Sequence, residues 1–561
     1  MLVIALISST CAAIQKLEGG PKDTVPPKLI KTYPEQGSTN NFQNNNNPAI
    51  RLEFDKEIEV RDIYNKLIVT PKLARRENGA SFTCKVKKNT VELRLEVPLE
   101  KDTTYTFNFK DAIIDTHEGT PAENPTLTFS TGAHVDAMYI TGQVKMLMTD
   151  QPTKALVALY RKTEEDNAHI LNSTPDYFTE SKEDGTFRIE HIKQGTYRLC
   201  AGQSKENKLT IDPTQEPYGF LATPLELTEP IEKISLYIVQ ANINELKVQS
   251  SKPHGQYFEI SFSKPIYTYS LTLKHAPKRL RSAILYSHLI EAGSTIRVYN
   301  TLGLLEDDLL EAELVAEDEM GNTIQQDIKL QFKGRRIEKE PFKYTVQPAA
   351  GSKVDTELLQ VNIQFNKPLR DVQANKLYLL IEQEKWPIHL EEIIMHPHRD
   401  KITIEKKLNL NTEPKRSIVT GASMPNQENK HQAIILQIDK GAFVSVEKEI
   451  NQAENYQYIP KTPQECGSIQ GSVITKAPGF IIQLLDREYQ VIDEIRNQRH
   501  YKFNDVLPGN YYIRVLVTSR QEGKWGFGNI HKWIPPDPVI LYPHDLAIVA
   551  KWELEDIDFM F

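Results

Sequence analysis

The run AIRLEFDKEI at residues 49–58 puts Ile50, Leu52 and Phe54 on one side and Arg51 and Glu53 on the other. A period of two is the pattern of a β-strand with one buried face. The run returns twice, as FEISFSKPI at 258–266 and VNIQFNKPL at 361–369. Each copy places a Phe (54, 262, 365), one residue, a Lys (56, 264, 367), one residue, then an aliphatic. A second echo links DTHEGTPAENPTLTF at 115–129 with DEMGNTIQQDIKLQF at 318–332. Around the first copy lie KLIVTP, SFTCKV, TVELRLEV, TYTFNF and TLTFS, with turn-rich stretches such as NNFQNNNNP and no helical periodicity between them. Short strands at this spacing predict a sandwich. Three copies are expected, at about 26–132, 238–335 and 340–450.

A different module occurs twice, over 138–236 and 464–561. The first holds YITGQVKM, ALVALY and DGTFRIEHIKQGTYRLCA; the second holds GSIQGSVI, FIIQLLD and HYKFNDVLPGNYYIRVL. Aligning Gly195-Thr196-Tyr197 with Gly509-Asn510-Tyr511 sets Phe187 on Tyr501, Ile189 on Phe503 and Ile192 on Val506. Each copy reads as strand, glycine-bearing turn and strand, burying one core between two small antiparallel sheets. The whole chain is expected to be all-β.

Bulk properties agree with this. At 561 residues there is room for about four domains of ordinary size. Hydrophobic residues at 39% and charged residues at 25% describe a folded chain. Tyr 23 and Phe 20 against Met 8 favour pleated faces over helical bundles. A net charge of -8 gives no basic surface for nucleic acid. The four cysteines, at 11, 84, 200 and 466, form no C-x-x-C pair and no zinc spacing. Cys84, Cys200 and Cys466 read as small core residues, with a disulfide between two of them left open.

The chain opens MLVIALISST-Cys11. This apolar run is far short of the roughly 20 residues that span a bilayer. It reads as the hydrophobic part of an export signal over 1–10, and its lack of basic residues predicts a true start further upstream. It resembles bacterial lipoprotein signals, in which a small residue precedes a cysteine that is lipidated. Thr10 and Ser8 depart from the usual residues there. Lipidation of Cys11 is the expectation, with plain secretion and a buried first strand as alternatives. Residues 11–25, rich in Gly and Pro, then read as a spacer from the membrane.

GGPKDTVPPKLIKTYPEQGS at 19–38, the FDKEI stretch, TTYTFNF and DTHEGTPAENPTLTFSTG at 115–132 resemble Bacteroidetes lipoproteins that begin with a bacterial Ig-like domain of the S-layer-protein type. The Gly-x-Tyr modules resemble transthyretin-like domains of the carboxypeptidase regulatory kind. The resemblance implies serial Ig-like and transthyretin-like antiparallel β-sandwiches, in an envelope protein at the periplasmic or outer surface. It does not imply catalysis. Where that family's second Gly-x-Tyr module carries an acidic, cation-binding loop, this chain has TSRQEGKWGFGN at 518–529. Gly523 and Trp525 remain, but Thr518, Arg520 and Gly526 replace the acids, which argues against calcium. The earlier loop, SKENKLTIDP at 204–213, keeps only Glu206, Asn207 and Asp212.

Other candidates for chemistry are sparse. Asp115 with Glu118, and Asp318 with Glu319, sit in turns before a terminal strand. A glycosidase needs two carboxyls across a cleft, whereas turn acids bond their own backbone. His396 and His398 could share a zinc on one strand face, without a third ligand in suggestive spacing. No G-x-S-x-G, H-E-x-x-H or phosphate-loop pattern is present. Trp525, Phe527, Trp533, Trp552 and Phe561 gather near the end of the chain, away from Trp386. Packing of the last sandwich is the first explanation. A partner or glycan surface built on Trp525, Trp533 and Phe527 is the second. The expected function is a non-catalytic envelope scaffold without cofactor or metal, held by membrane lipid at Cys11. A carbohydrate-binding protein and an envelope hydrolase with an unrecognised site are the alternatives.

Overall fold

The computed structural model describes residues 23–561, except 43–47, 75, 77–78, 124, 163–167, 204–207, 243, 275–284, 335–336, 383, 409–432, 462–464 and 519–522. Cys11 and the export signal, Glu206 and Asn207, and Arg520 therefore lie outside the described residues. Two compact units result: residues 1–240 with 529–535, and residues 241–528 with 536–561.

The alternation in AIRLEF is realised as expected: Ile50, Leu52 and Phe54 are fully buried while Arg51 and Glu53 face out. In the first sandwich one sheet runs Leu29–Tyr33, Ala49–Phe54, Thr90–Leu95, Phe82–Lys87 in space, all antiparallel. It packs against Ile68–Thr70, Thr104–Asn108 and Thr126–Ser130. The third sandwich repeats this order with Val248–His254, Tyr257–Phe262, Thr295–Tyr299 and Ser287–Ile290 against Thr268–Leu273, Leu310–Glu317 and Thr323–Leu330. The fourth does so with Tyr344–Gln347, Leu358–Phe365, Lys401–Lys407 and Ile393–Met395 against Leu377–Ile381, Ile434–Ile438 and Glu454–Pro460. First, second, fifth and fourth strands on one sheet, third, sixth and seventh on the other, is the order of an immunoglobulin constant-type sandwich. The repeated Phe54, Phe262 and Phe365 each sit in the core of their own copy.

The two Gly-x-Tyr modules also match strand for strand. In the first, Thr186–Ile192, Met138–Met146 and Ile231–Ile238 face a sheet of Tyr177–Glu180, Leu156–Arg161, Gly195–Gly202 and Tyr218–Phe220. In the second, His500–Val506, Gly467–Ile474, Glu553–Leu554 and Phe559–Met560 face Val491–Arg496, Gly479–Leu485, Gly509–Thr518 and Val539–Leu541. One detail departs from two purely antiparallel sheets. The last strands of each module return alongside its first strand in the same direction, so those pairings are parallel. The first strand takes the middle of its sheet, and the returning chain pairs with its remaining edge.

The Gly-x-Tyr turns have a common geometry. Tyr197 donates its hydroxyl to the Lys193 carbonyl and Tyr511 donates to the Leu507 carbonyl, both at 2.8 Å and both four residues back. Each ring lies over its own turn's glycine, so a Cβ at Gly195 or Gly509 would stand 3.4 or 3.3 Å from the ring. The hydroxyl satisfies a turn carbonyl that the sheet cannot reach. Tyr511→Phe is expected to destabilise the last module by about 1 kcal/mol. The readout is faster hydrogen exchange in Gly509–Thr518, with the amides of Leu358–Phe365 unchanged.

Candidate functional site

The repeated lysine is where the sequence echoes acquire chemistry. Each follows the buried Phe strand at a corner where the chain leaves the sheet, and each ammonium finds acids or carbonyls there. In the first sandwich Lys56 donates to the Asp23 carboxylate at 2.6 Å and to the Val25 carbonyl at 2.7 Å. In the third, Lys264 pairs with Asp318 and donates to the Asn242 carbonyl at 2.8 Å and to that of Asn244. In the fourth, Lys367 bridges Glu447 at 2.6 Å and Glu449 at 2.5 Å. The two central corners are the buried ones. Side chains are 6% and 2% exposed for Lys264 and Asp318, and 3% and 7% for Lys367 and Glu447.

These corners contain the acids singled out from sequence. Asp115 Oδ1 accepts the His117 and Glu118 backbone N–H groups at 2.7 and 2.9 Å. The Glu118 N–H bond leads in holding the Asp115 carboxyl below its ordinary range; burial opposes it, and His117 N–H and the Lys56 charge add to it. Asp318 accepts from the Asn322 N–H at 2.8 Å and its side-chain amide at 2.9 Å, besides Lys264, while Glu319 is exposed. Asp115 and Asp318 thus spend their oxygens on their own turn and corner. For Glu447, burial alone would raise the pKa, but the Lys367 and Lys339 ammoniums outweigh it and hold the carboxyl down. The stability Glu447 contributes is then present at neutral pH and is lost as pH falls through its folded value, below the unfolded value of about 4.3. Glu447→Gln is expected to cost about 1–3 kcal/mol at pH 7, because Glu449 still meets Lys367. It should also flatten the acid limb of a stability-versus-pH curve between about pH 5 and 3, read as hydrogen-exchange protection of Ile434–Ile438 at stepped pH and corrected for the intrinsic rate.

The two neighbouring histidines do not share a site. His396 Nε2 meets the Thr403 hydroxyl at 3.1 Å, whereas His398 stacks face to face on Tyr269 at 4.0 Å. Both residues are half-buried. Among the described residues no group of three or more His, Cys, Asp or Glu is placed to hold a metal. Asp212 closes its own turn onto the Thr214 N–H and hydroxyl, and Glu216 accepts from the Asp212 N–H. Cys84, Cys200 and Cys466 are free thiols, and burial pushes Cys84 and Cys466 up from the ordinary value.

Of the C-terminal aromatics, the structure brings Trp525 and Phe527 together, edge to face at 4.8 Å. The Trp525 indole N–H donates to the Asp537 carbonyl at 3.0 Å, and the Gly526 N–H to its carboxylate at 2.9 Å. Trp533 belongs to the other compact unit. There the Arg198 guanidinium lies 4.1 Å over its ring, and Phe220 meets it edge-on at 5.4 Å. Its Nε1 is buried without a hydrogen-bond partner. All three rings are half-buried, while Trp552 is 57% exposed. Phe561 packs on the last core and Trp386 on the fourth.

Sequence reading did not single out His288. It is 3% exposed on Ser287–Ile290, and its ring stacks on Tyr299 at 5.7 Å. Nothing in YSHLIEAG sets this histidine apart, because its burial depends on residues more than 70 positions away.

A family model of the bacterial Ig-like domain matches residues 23–131. No curated protein matches the chain. Among solved structures, the dimeric latent PorU of Porphyromonas gingivalis is similar over 58% of this chain at 7% identity and a TM-score of 0.22. The chain spans 35% of that PorU chain. BcpA, the major pilin subunit of Bacillus cereus, is similar over 75% of this chain and 98% of its own, at 10% identity and a TM-score of 0.12. The S-layer protein rSbsC is similar over 94% and 67%, at 10% identity and a TM-score of 0.14. Superpositions this loose carry no functional argument. The chain is a series of β-sandwich domains, the first of them a match to the bacterial Ig-like family.

Proposed function

We propose that this protein is a non-catalytic scaffold of a bacterial cell envelope, exported and anchored through lipid on Cys11, of the Bacteroidetes lipoprotein type. It spaces a partner-binding surface from the membrane by rigid sandwiches in series. The observation that carries the reading is the fate of the acids in the repeats: Asp115, Asp318 and Glu447 are committed to corner lysines or to their own turns. Groups held this way stiffen a repeat and offer no proton-transfer pair. The apolar run ending at Cys11 supports the anchor, and the Ig-like match at 23–131 supports a modular role. No helix of the described residues is long and apolar enough to cross a membrane. The expected partner is another envelope protein or a glycan.

Fractionation of the producing cell, with mass spectrometry of the N-terminal peptide and protease shaving of intact cells, tests this. An acylated Cys11 in the membrane fraction is the expected result. An unmodified Cys11 in the soluble fraction would sink the anchor. Shaving would separate an outward-facing protein from a periplasmic one.

A further inference from the structure

The sheet of Val248–His254, Tyr257–Phe262, Thr295–Tyr299 and Ser287–Ile290 has an outward face that an isolated sandwich would leave in water. Here it is covered by the fourth sandwich. Tyr257 and Tyr299, both 3% exposed, pack on Val446, and Tyr257 donates to Glu447 at 3.1 Å. Tyr269, from the opposite sheet, stacks on His398 at 4.0 Å and donates its hydroxyl to Ser287 at 3.0 Å. Lys339 reaches Glu447 at 3.1 Å, and Arg297 pairs with Glu259 at 2.9 Å and with Glu340 at 3.6 Å. A cleft of about 390 Å³ opens beside this contact, against Tyr257, Tyr299, Lys339 and Glu447.

His288 lies inside the contact. Its Nδ1 is buried and has no hydrogen-bond partner. A neutral imidazole can leave that nitrogen as an unused acceptor. An imidazolium carries N–H on both nitrogens and would bury a charged donor with nothing to receive it. The charges facing the ring do not favour a proton either. Arg297 stands on the adjacent strand, tied to Glu259, and Lys367 and His398 approach from the fourth sandwich, with Asp400 beside His398. The Asn366 backbone favours the charged form, against these.

We propose that the contact between the third and fourth sandwiches is an acid-released joint, in which protonation of His288 separates the two faces while each sandwich stays folded. Burial leads in lowering the His288 pKa to about 4, with Arg297 next. Burial also lowers that of His398. An exposed histidine titrates near 6.5, so the open form takes up a proton that the closed form refuses between about pH 6.5 and 4. The closed joint is fully favoured above that window. Each pH unit of descent within it costs about tenfold in the closed-to-open ratio, and below it the cost levels off.

The test is hydrogen exchange of the full chain from pH 7.5 to 4, corrected for the intrinsic rate. The expected result is loss of protection in Tyr257–Phe262, Thr295–Tyr299 and the 443–447 turn, while Leu310–Glu317 and Leu358–Phe365 keep theirs. His288→Phe, which keeps a flat ring and takes no proton, should hold the joint closed through the window. His398→Phe should keep most of the response. Protection of the joint down to pH 4 in the unaltered chain would overturn the proposal. So would an unchanged response in His288→Phe, or loss of the core amides together with those of the joint. If His288→Phe fails to fold, His288→Gln carries the same comparison.

Discussion

Asp318→Ala is expected to destabilise the third sandwich by about 3–5 kcal/mol, among the largest effects of any single side-chain truncation in the chain. Asp318 and Lys264 are both almost wholly buried, and Lys264 has two backbone carbonyls as its only other described partners. Removing the carboxylate leaves an ammonium in the corner with no counter-charge. It also strips the Asn322 N–H and side-chain amide of their acceptor. Hydrogen exchange is the suitable measurement, because a multidomain chain has no single unfolding free energy. Amides of Leu310–Glu317 and Thr323–Leu330 should lose protection by roughly two to three and a half orders of magnitude, at about 1.4 kcal/mol per factor of ten. The double change Lys264→Met with Asp318→Leu should recover much of the loss, since neither charge is then left buried alone. If Asp318→Ala alone leaves exchange unchanged, the corner pair contributes no net stability. Asp115→Ala in the first copy should cost less, because Lys56 keeps Asp23 and the Val25 carbonyl.

The second large effect is expected at Gly471, near the middle of Gly467–Ile474. A Cβ there would lie 1.9 Å from the Ile557 carbonyl oxygen and 2.5 Å from its carbon. Both atoms are backbone of the returning segment, so no rotamer change can make room. Gly471→Ala must push that segment off the sheet, along with its parallel pairings at Glu553–Leu554 and Phe559–Met560. It also disturbs the Tyr501 hydroxyl, which donates to the same carbonyl at 2.6 Å. Overpacking costs about 1–3 kcal/mol where side chains can adjust, and more is expected where backbone must move. Loss of protection in the last module, or an insoluble product, is the expected outcome. Gly509→Ala in the same module meets only a ring edge at 3.3 Å and should cost far less. Equal effects at the two glycines would refute the close-approach explanation. The first Gly-x-Tyr module has the same arrangement: Gly142 pairs with Phe187, and a Cβ would meet the Ile234 carbonyl at 2.2 Å.

Much of this architecture is legible in the sequence because it is local and periodic. The alternation in AIRLEF needs only the pleat of a strand to decide which residues go inside. The repeats then report copies of a unit, since the same local solution recurs. Gly195-Thr196-Tyr197 and Gly509-Asn510-Tyr511 are legible for the same reason, because hydroxyl and acceptor are four residues apart. Legibility fails where partners are far apart in the chain. Phe-x-Lys and the turn acid Asp318 are each visible, but their meeting spans more than 50 residues. Glu447 and Glu449 fill the equivalent corner for Lys367 from a turn that carries no recognisable echo of the others. The C-terminal aromatics fail in the opposite sense. Nearness in sequence suggested one cluster, yet Trp533 packs on Arg198 and Phe220 while Trp525 packs on Phe527.

By itself, then, the sequence determined that this chain is all-β and made of two kinds of repeated sandwich, and which face of the principal strands is buried. Those properties follow from side-chain periodicity and turn chemistry within a few residues. Only the tertiary structure decided which lysine meets which acid, which glycines admit another backbone, and that His288 is sealed between two sandwiches. These are properties of surfaces brought together by packing. Burial and missing hydrogen-bond partners come into being only when distant segments exclude water from one another.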